Sequence, residues 1–156
     1  MKRLIINIVL GLCFGFIFTS CGGRNINSVV PKSTSFEFSH GSEPRLIKGQ
    51  VKDTLITTIY VPGKIVSLDV EMPYKNDYLQ INLAEKTKSH FEEQVHSSLL
   101  RNRTYMNVKG NDEAVVYLNP DVLNEWEEGR HSVTFAVLDE KNTFKQIDLY
   151  VNIISK

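Results

Sequence analysis

From Phe36 on, the dominant period of the apolar side chains is two, and this period constrains the architecture more than any other feature. A strand turns successive side chains to opposite faces, so an alternating run buries one face and wets the other. Phe36 and Phe38 open the pattern. Leu55, Thr57, Ile59 and Val61 share one face. Val66, Leu68, Val70 and Met72 share another, with Ser67, Asp69 and Glu71 opposite them. Leu79, Ile81 and Leu83 repeat the alternation, as do Ala114, Val116 and Leu118. Met106 and Val108 give a further short strand. The clearest runs come last: Val133, Phe135 and Val137, then Ile147, Leu149, Val151 and Ile153, with Asp139-Glu140-Lys141-Asn142 between them as a hairpin loop. Pro62 and Gly63 stand where a type II turn takes them. Such a turn splays hairpin strands, so the chain is expected to pass from one sheet to another there. About eight strands, mostly with one solvated face, argue for an all-β antiparallel sandwich. Leu68, Val70, Val133, Phe135, Leu149 and Val151 are expected to meet in a single core between its two sheets.

Two short helical insertions interrupt the strands. Ser89-His90-Phe91-Glu92 has capping-box form, and Phe91, Val95 and Leu99 follow at i, i+4 and i+8, which predicts a helix over 90–101. Asn119-Pro120 reads as an N-cap followed by proline at the first helical position. Val122, Leu123 and Trp126 would cover one side of that helix, and Gly129 would end it.

The beginning of the chain is of another kind. Lys2 and Arg3 precede an almost wholly apolar run of about 14 residues, which fits a signal-peptide core and falls short of the ~20 residues of a spanning helix. Phe18-Thr19-Ser20-Cys21 resembles the lipobox of bacterial lipoproteins, in which the signal is cut before a cysteine that then carries lipid. Phe18 departs from the usual aliphatic residue. The resemblance implies a signal peptide over 1–20, lipidation of Cys21, and a membrane partner bound through that lipid. Cysteine usage agrees: Cys13 would leave with the signal, and Cys21 would have no partner for an internal disulfide. Residues 21–35 are polar and glycine-led and read as a tether, which leaves 36–156 as the folded domain. Without Lys2 and Arg3, 16 basic residues face 18 acidic ones. That balance offers no concentrated basic face, so nucleic acid is not expected as a partner.

The stretches VPGKIVSLDVEM and EEGRHSVTFAVLDEKN, the latter running into IDLYVNI, look like early and late strands of immunoglobulin-like modules in Bacteroidetes lipoproteins. The likeness covers roughly residues 51–154. It implies an immunoglobulin-like sandwich that binds, spaces or presents, and it implies no particular ligand. The lipoprotein resemblance places the chain in the bacterial envelope, anchored to the outer membrane. GGRNIN after the cysteine lacks the acidic cluster that resembles a surface-export signal, so the periplasmic face is favoured. Asp53-Thr54-Leu55 resembles the short O-glycosylation motif of the same phylum.

Catalytic signatures are sparse. No Gly-x-Ser-x-Gly elbow, phosphate loop or zinc-type cysteine cluster occurs. Glu93-Gln94-Val95-His96 has the Glu-x-x-His spacing of carboxylate-bridged metal sites, but such sites need two of these motifs. The simpler expectation is Glu92 and His96 as an exposed i, i+4 pair. Asp69 and Glu71 share a strand face, where solvation is expected. No catalytic residue, metal or cofactor is expected. Aromatic residues are the better candidates. Tyr74 and Tyr78 flank Lys75-Asn76-Asp77, so Tyr74, Asn76, Asp77 and Tyr78 supply two rings, an amide and a carboxylate, as a small glycan site would. Trp126 is expected to cap the core. The resulting expectation is a non-enzymatic, lipid-anchored binding or accessory module whose partner is an envelope protein or glycan. The alternatives are a small envelope hydrolase and a glycan-binding lipoprotein of a polysaccharide-uptake system.

Overall fold

The computed structural model describes residues 33–156; the apolar run, Cys21 and most of the tether lie outside them. In chain order the elements are β1 (Ser35–Phe38), β2 (Arg45–Ile47), β3 (Leu55–Tyr60), β4 (Ile65–Tyr74), β5 (Asp77–Asn82), α1 (His90–Leu99), β6 (Glu113–Leu118), α2 (Pro120–Glu125), β7 (Gly129–Asp139) and β8 (Phe144–Ile154). A short 3₁₀ turn, Tyr105–Asn107, precedes β6. Thr34 is already buried, so the folded body opens ahead of Phe36.

The strands form two sheets. One has the order β1-β3-β6, and the other β2-β8-β7-β4-β5. All neighbours are antiparallel except β2, which runs parallel to β8. The molecule is therefore an all-β sandwich with two helical insertions. Leu68, Val70, Val133, Phe135, Leu149 and Val151 are all buried, and all belong to the five-stranded sheet. Register sets Val70 beside Phe135 and Val133 beside Leu149. Leu55, Ile59, Ala114, Val116 and Leu118 of the smaller sheet join them in one core cluster. Phe38 of β1 reaches across to Phe135, ring centroids 6.2 Å apart.

Several local expectations are corrected. Val66 points outward and is 39% exposed, because the β4–β7 register shifts between Ile65 and Ser67. A bulge inserts one residue and reverses the phase of the alternation, so Ile65 takes the buried place instead. Met106 and Val108 do not form a strand. The Asn107 side chain accepts the backbone N–H of Thr104 at 3.0 Å, which closes a 3₁₀ turn and leaves Met106 70% exposed. The chain does cross from the small sheet to the large one between β3 and β4, as expected. However, Gly63 lacks the positive φ of a type II turn. Its reason is close approach: a Cβ there would lie 2.8 Å from Asp139 Oδ2. The Asp139 carboxylate is fixed because its Oδ1 accepts the N–H groups of Lys141 and Thr143 at 2.9 and 2.8 Å, closing the β7–β8 hairpin. Gly129 does not end α2, which stops at Glu125 with Trp126 as its C-cap. Gly129 instead opens β7 at φ 136°.

Candidate functional site

Three segments far apart in sequence converge beside the core. The first is the end of β4. Tyr74 pairs with Asp77, so β4 and β5 are joined by Lys75 and Asn76 alone, with Lys75 taking the left-handed conformation. The second is α1. Ser89 Oγ accepts the Glu92 N–H at 3.1 Å, as a capping residue should. The Glu92 carboxylate accepts the Lys88 N–H, one residue earlier than a regular box requires. The third is α2 and the link to β7, held by polar ties at both ends. Asn119 does not cap its own helix; its Nδ2 donates to Ser98 Oγ on α1 at 2.8 Å. Asn124 exchanges two bonds with the backbone of Val51, accepting at 2.9 Å and donating at 3.0 Å. Lys48 Nζ donates to Glu127 Oε2 at 2.7 Å.

Between these segments lies a cleft of about 410 Å³. Its floor is aliphatic, built from Met72, Val95, Leu99 and Val122. Three aromatic residues wall it. Tyr74 and Phe91 pack at 5.1 Å between ring centroids, tilted by 55°. Trp126 packs on His131 at 5.4 Å. Pro73 and the polar residues Lys75, Gln94, Ser98, Glu125, Glu127 and His131 complete the lining. His131 Nε2 lies 2.7 Å from the Glu127 carbonyl oxygen, which can only accept, so this nitrogen carries the proton. The Lys48 ammonium, by its hydrogen bond and then its charge, holds the Glu127 carboxyl below the usual carboxylate range. A cleft of this size with an apolar floor and a few polar groups at its margin is the usual form of a small-ligand site.

The four residues expected to form a contact site are not brought together. Tyr74 lines the cleft. Asn76 and Asp77 stand exposed at the hairpin tip, and Asp77 Oδ1 accepts the adjacent Tyr78 N–H. Tyr78 pairs with Pro73 and Tyr74 with Asp77, so the two rings project from opposite faces of the hairpin. Tyr78 is 52% exposed and takes no part in the cleft.

Phe91, Gln94, Glu125 and His131 also line the cleft, although no local pattern in the sequence marks them as ligand contacts. Their signal was present in part: the Phe91, Val95, Leu99 stripe looked like a core face, and all three residues line the cleft. Trp126 does both jobs. It is 5% exposed within the core cluster and also walls the cleft.

The remaining candidates lie elsewhere. His96 is not an exposed partner of Glu92; it is buried, and its Nε2 donates to the Leu83 carbonyl at 3.1 Å. Asp69 accepts the Ser67 hydroxyl at 2.7 Å on the outward side of β4, and Glu71 is exposed. Ser39 Oγ and His40 Nδ1 are 2.8 Å apart, but the pair is exposed and lies outside the cleft. Among the described residues no group of three or more His, Cys, Asp and Glu side chains is placed to hold a metal ion. Comparison with protein-family models, curated proteins and solved structures finds no match.

Proposed function

We propose that this chain is a non-catalytic binding module of a bacterial cell envelope. It is tethered through lipid on Cys21 and holds a protein or glycan partner in the aromatic cleft. The observation that carries the binding role is the convergence of Tyr74, Phe91 and Trp126 over an aliphatic floor. Rings of this kind bury large area at little entropic cost while the margin sets orientation. The absence of catalysis is supported by the place of the histidines: the one beside a hydroxyl, His40 at 2.8 Å from Ser39 Oγ, is exposed and outside the cleft. Among the described residues His131 and His96 each donate to a backbone carbonyl, and neither is hydrogen-bonded to a hydroxyl. The anchor rests on the apolar run that stops at Phe18-Thr19-Ser20-Cys21 and on Cys21 being left without a second cysteine once a signal that contains Cys13 is removed. The finer fold belongs to the same proposal: an immunoglobulin-like sandwich, supported by the two sheets and the long closing β7–β8 hairpin, with β2, α1 and α2 as additions. The favoured location is the periplasmic face of the outer membrane.

Trp126 is the only tryptophan of the chain, so its emission and its indole N–H resonance report on the cleft wall and the core behind it without interference from a second indole. Titration with a solubilised envelope extract is expected to shift that resonance together with the amides of Phe91 and Gln94. Shifts confined to the outward faces of the sheets, or no shift at all, would contradict the cleft as the binding site.

A further inference from the structure

The chemistry of the cleft margin narrows the partner. Lys75 and Glu125 bring one charge of each sign to it, and neither has an ion-pair partner among the described residues. The Glu127 carboxylate is already engaged by Lys48 at 2.7 Å. The formal charges cancel, so the local field selects neither an anion nor a cation. An organic cation has a further difficulty. Aromatic cages attract cations through open ring faces, and here the protein's own Lys75 ammonium stands 5.2 Å from the centroid of Tyr74.

A purely apolar occupant fits no better. Glu125 has no hydrogen-bond partner among the described residues. The Gln94 amide is used only through Nε2, 3.3 Å from His90. Ser98 Oγ accepts from Asn119 and keeps its own proton to donate. An aliphatic or aromatic peptide side chain would leave the exposed Glu125 and Gln94 to water and draw no hydrogen bond from any of these groups. The cleft asks for a neutral molecule with an apolar face and a polar circumference.

A pyranose ring has that form: its C–H face stacks on an aromatic ring while its hydroxyls radiate from the edge. Resting on the binding role proposed above, we propose that the cleft takes the neutral pyranose end of a short saccharide. The sugar stacks on Phe91, with the buried Trp126 in the cleft wall beside it as the reporter, and its hydroxyls meet Glu125, Gln94 and Lys75. Phe91 suits the stacking role because it is 40% exposed on the wall of the cleft. The test is Trp126 fluorescence with a panel of probes. Neutral mono- and disaccharides of gluco, galacto and manno configuration, with their N-acetylated forms, are set against galacturonate, glucosamine, choline and N-acetylphenylalanine amide. Saturable quenching by at least one neutral sugar is expected, with affinity weakened roughly tenfold in Phe91→Ala, the scale of one lost aromatic contact. Glu125→Ala should weaken the same sugar, and circular dichroism should show both variants folded. Saturation by galacturonate, glucosamine, choline or the phenylalanine amide alone would overturn the sugar and leave the cleft standing as a binding site. Silence of Trp126 towards every probe would overturn the sugar as well. If the envelope extract also leaves Trp126 unshifted, the cleft itself is wrong.

Discussion

Replacing Phe135 by alanine should lower the unfolding free energy by about 3–5 kcal/mol, as expected when a large aromatic leaves a packed core. Phe135 has no exposed surface and is the largest of the fully buried side chains. It sits in the middle of β7, paired with Val70 on one side and Ile147 on the other. Its ring also meets Phe38 of the opposite sheet, so its loss opens a void at the contact between the two sheets. The neighbours are strand residues held by ladders on both sides and collapse poorly into such a void. Urea unfolding followed by Trp126 emission measures the effect. A loss below about 1 kcal/mol would mean that the inward face of β7 has been misassigned.

Substituting Cys21 by serine should have the largest effect outside the core, because it removes the proposed attachment to the membrane altogether. Serine cannot form the thioether, so processing at that position should fail or the protein should be released. Several acyl chains together hold a protein firmly where a single chain binds only marginally. The wild-type protein should therefore fractionate with detergent-extracted membranes, and its intact mass should carry the lipid. The Cys21→Ser protein should appear as an unprocessed precursor or in the soluble fraction. Protease added to intact cells should spare the wild-type protein if it faces the periplasm. A wild-type protein that is soluble and cut elsewhere would overturn the lipoprotein proposal.

What was legible in the sequence was whatever repeats locally. The alternation in β3, β6, β7 and β8 identified those strands and the face that each buries, because a half-buried strand writes its environment at every second residue. Alternation alone could not place the bulge: Val66 continues the apolar run, and only pairing with β7 shows that the phase has slipped. β2 was invisible for a related reason. It is three residues long, and it is aligned by contacts distant in sequence, including the Tyr150 and Asn152 N–H groups donating to the carbonyls of Ser42 and Pro44. Met106 and Val108 showed the opposite failure, since two alternating apolar residues are too few to outweigh one asparagine closing a turn. The cleft was legible only in pieces. Tyr74 was singled out, but the hairpin register sends Tyr78 to the other face. Phe91 and Trp126 read as core because a stripe that walls a cleft has the same spacing as one that is fully covered. Their meeting depends on the tie between Asn119 and Ser98, 21 positions apart, which no local pattern encodes.

Site-specific photocrosslinking in the native envelope tests the binding claim most directly, because Phe91 and Tyr78 offer a matched pair of exposed aromatic positions. Both are exposed large residues, but only Phe91 lines the cleft. With p-benzoylphenylalanine in place of Phe91, irradiation of living cells should yield a discrete adduct. That adduct should disappear when Glu125 is also replaced by alanine. The same group in place of Tyr78 should yield none. Adducts from position 78 alone would move the contact surface to the outer side of the hairpin, and no adduct from either position would contradict a binding role for the cleft.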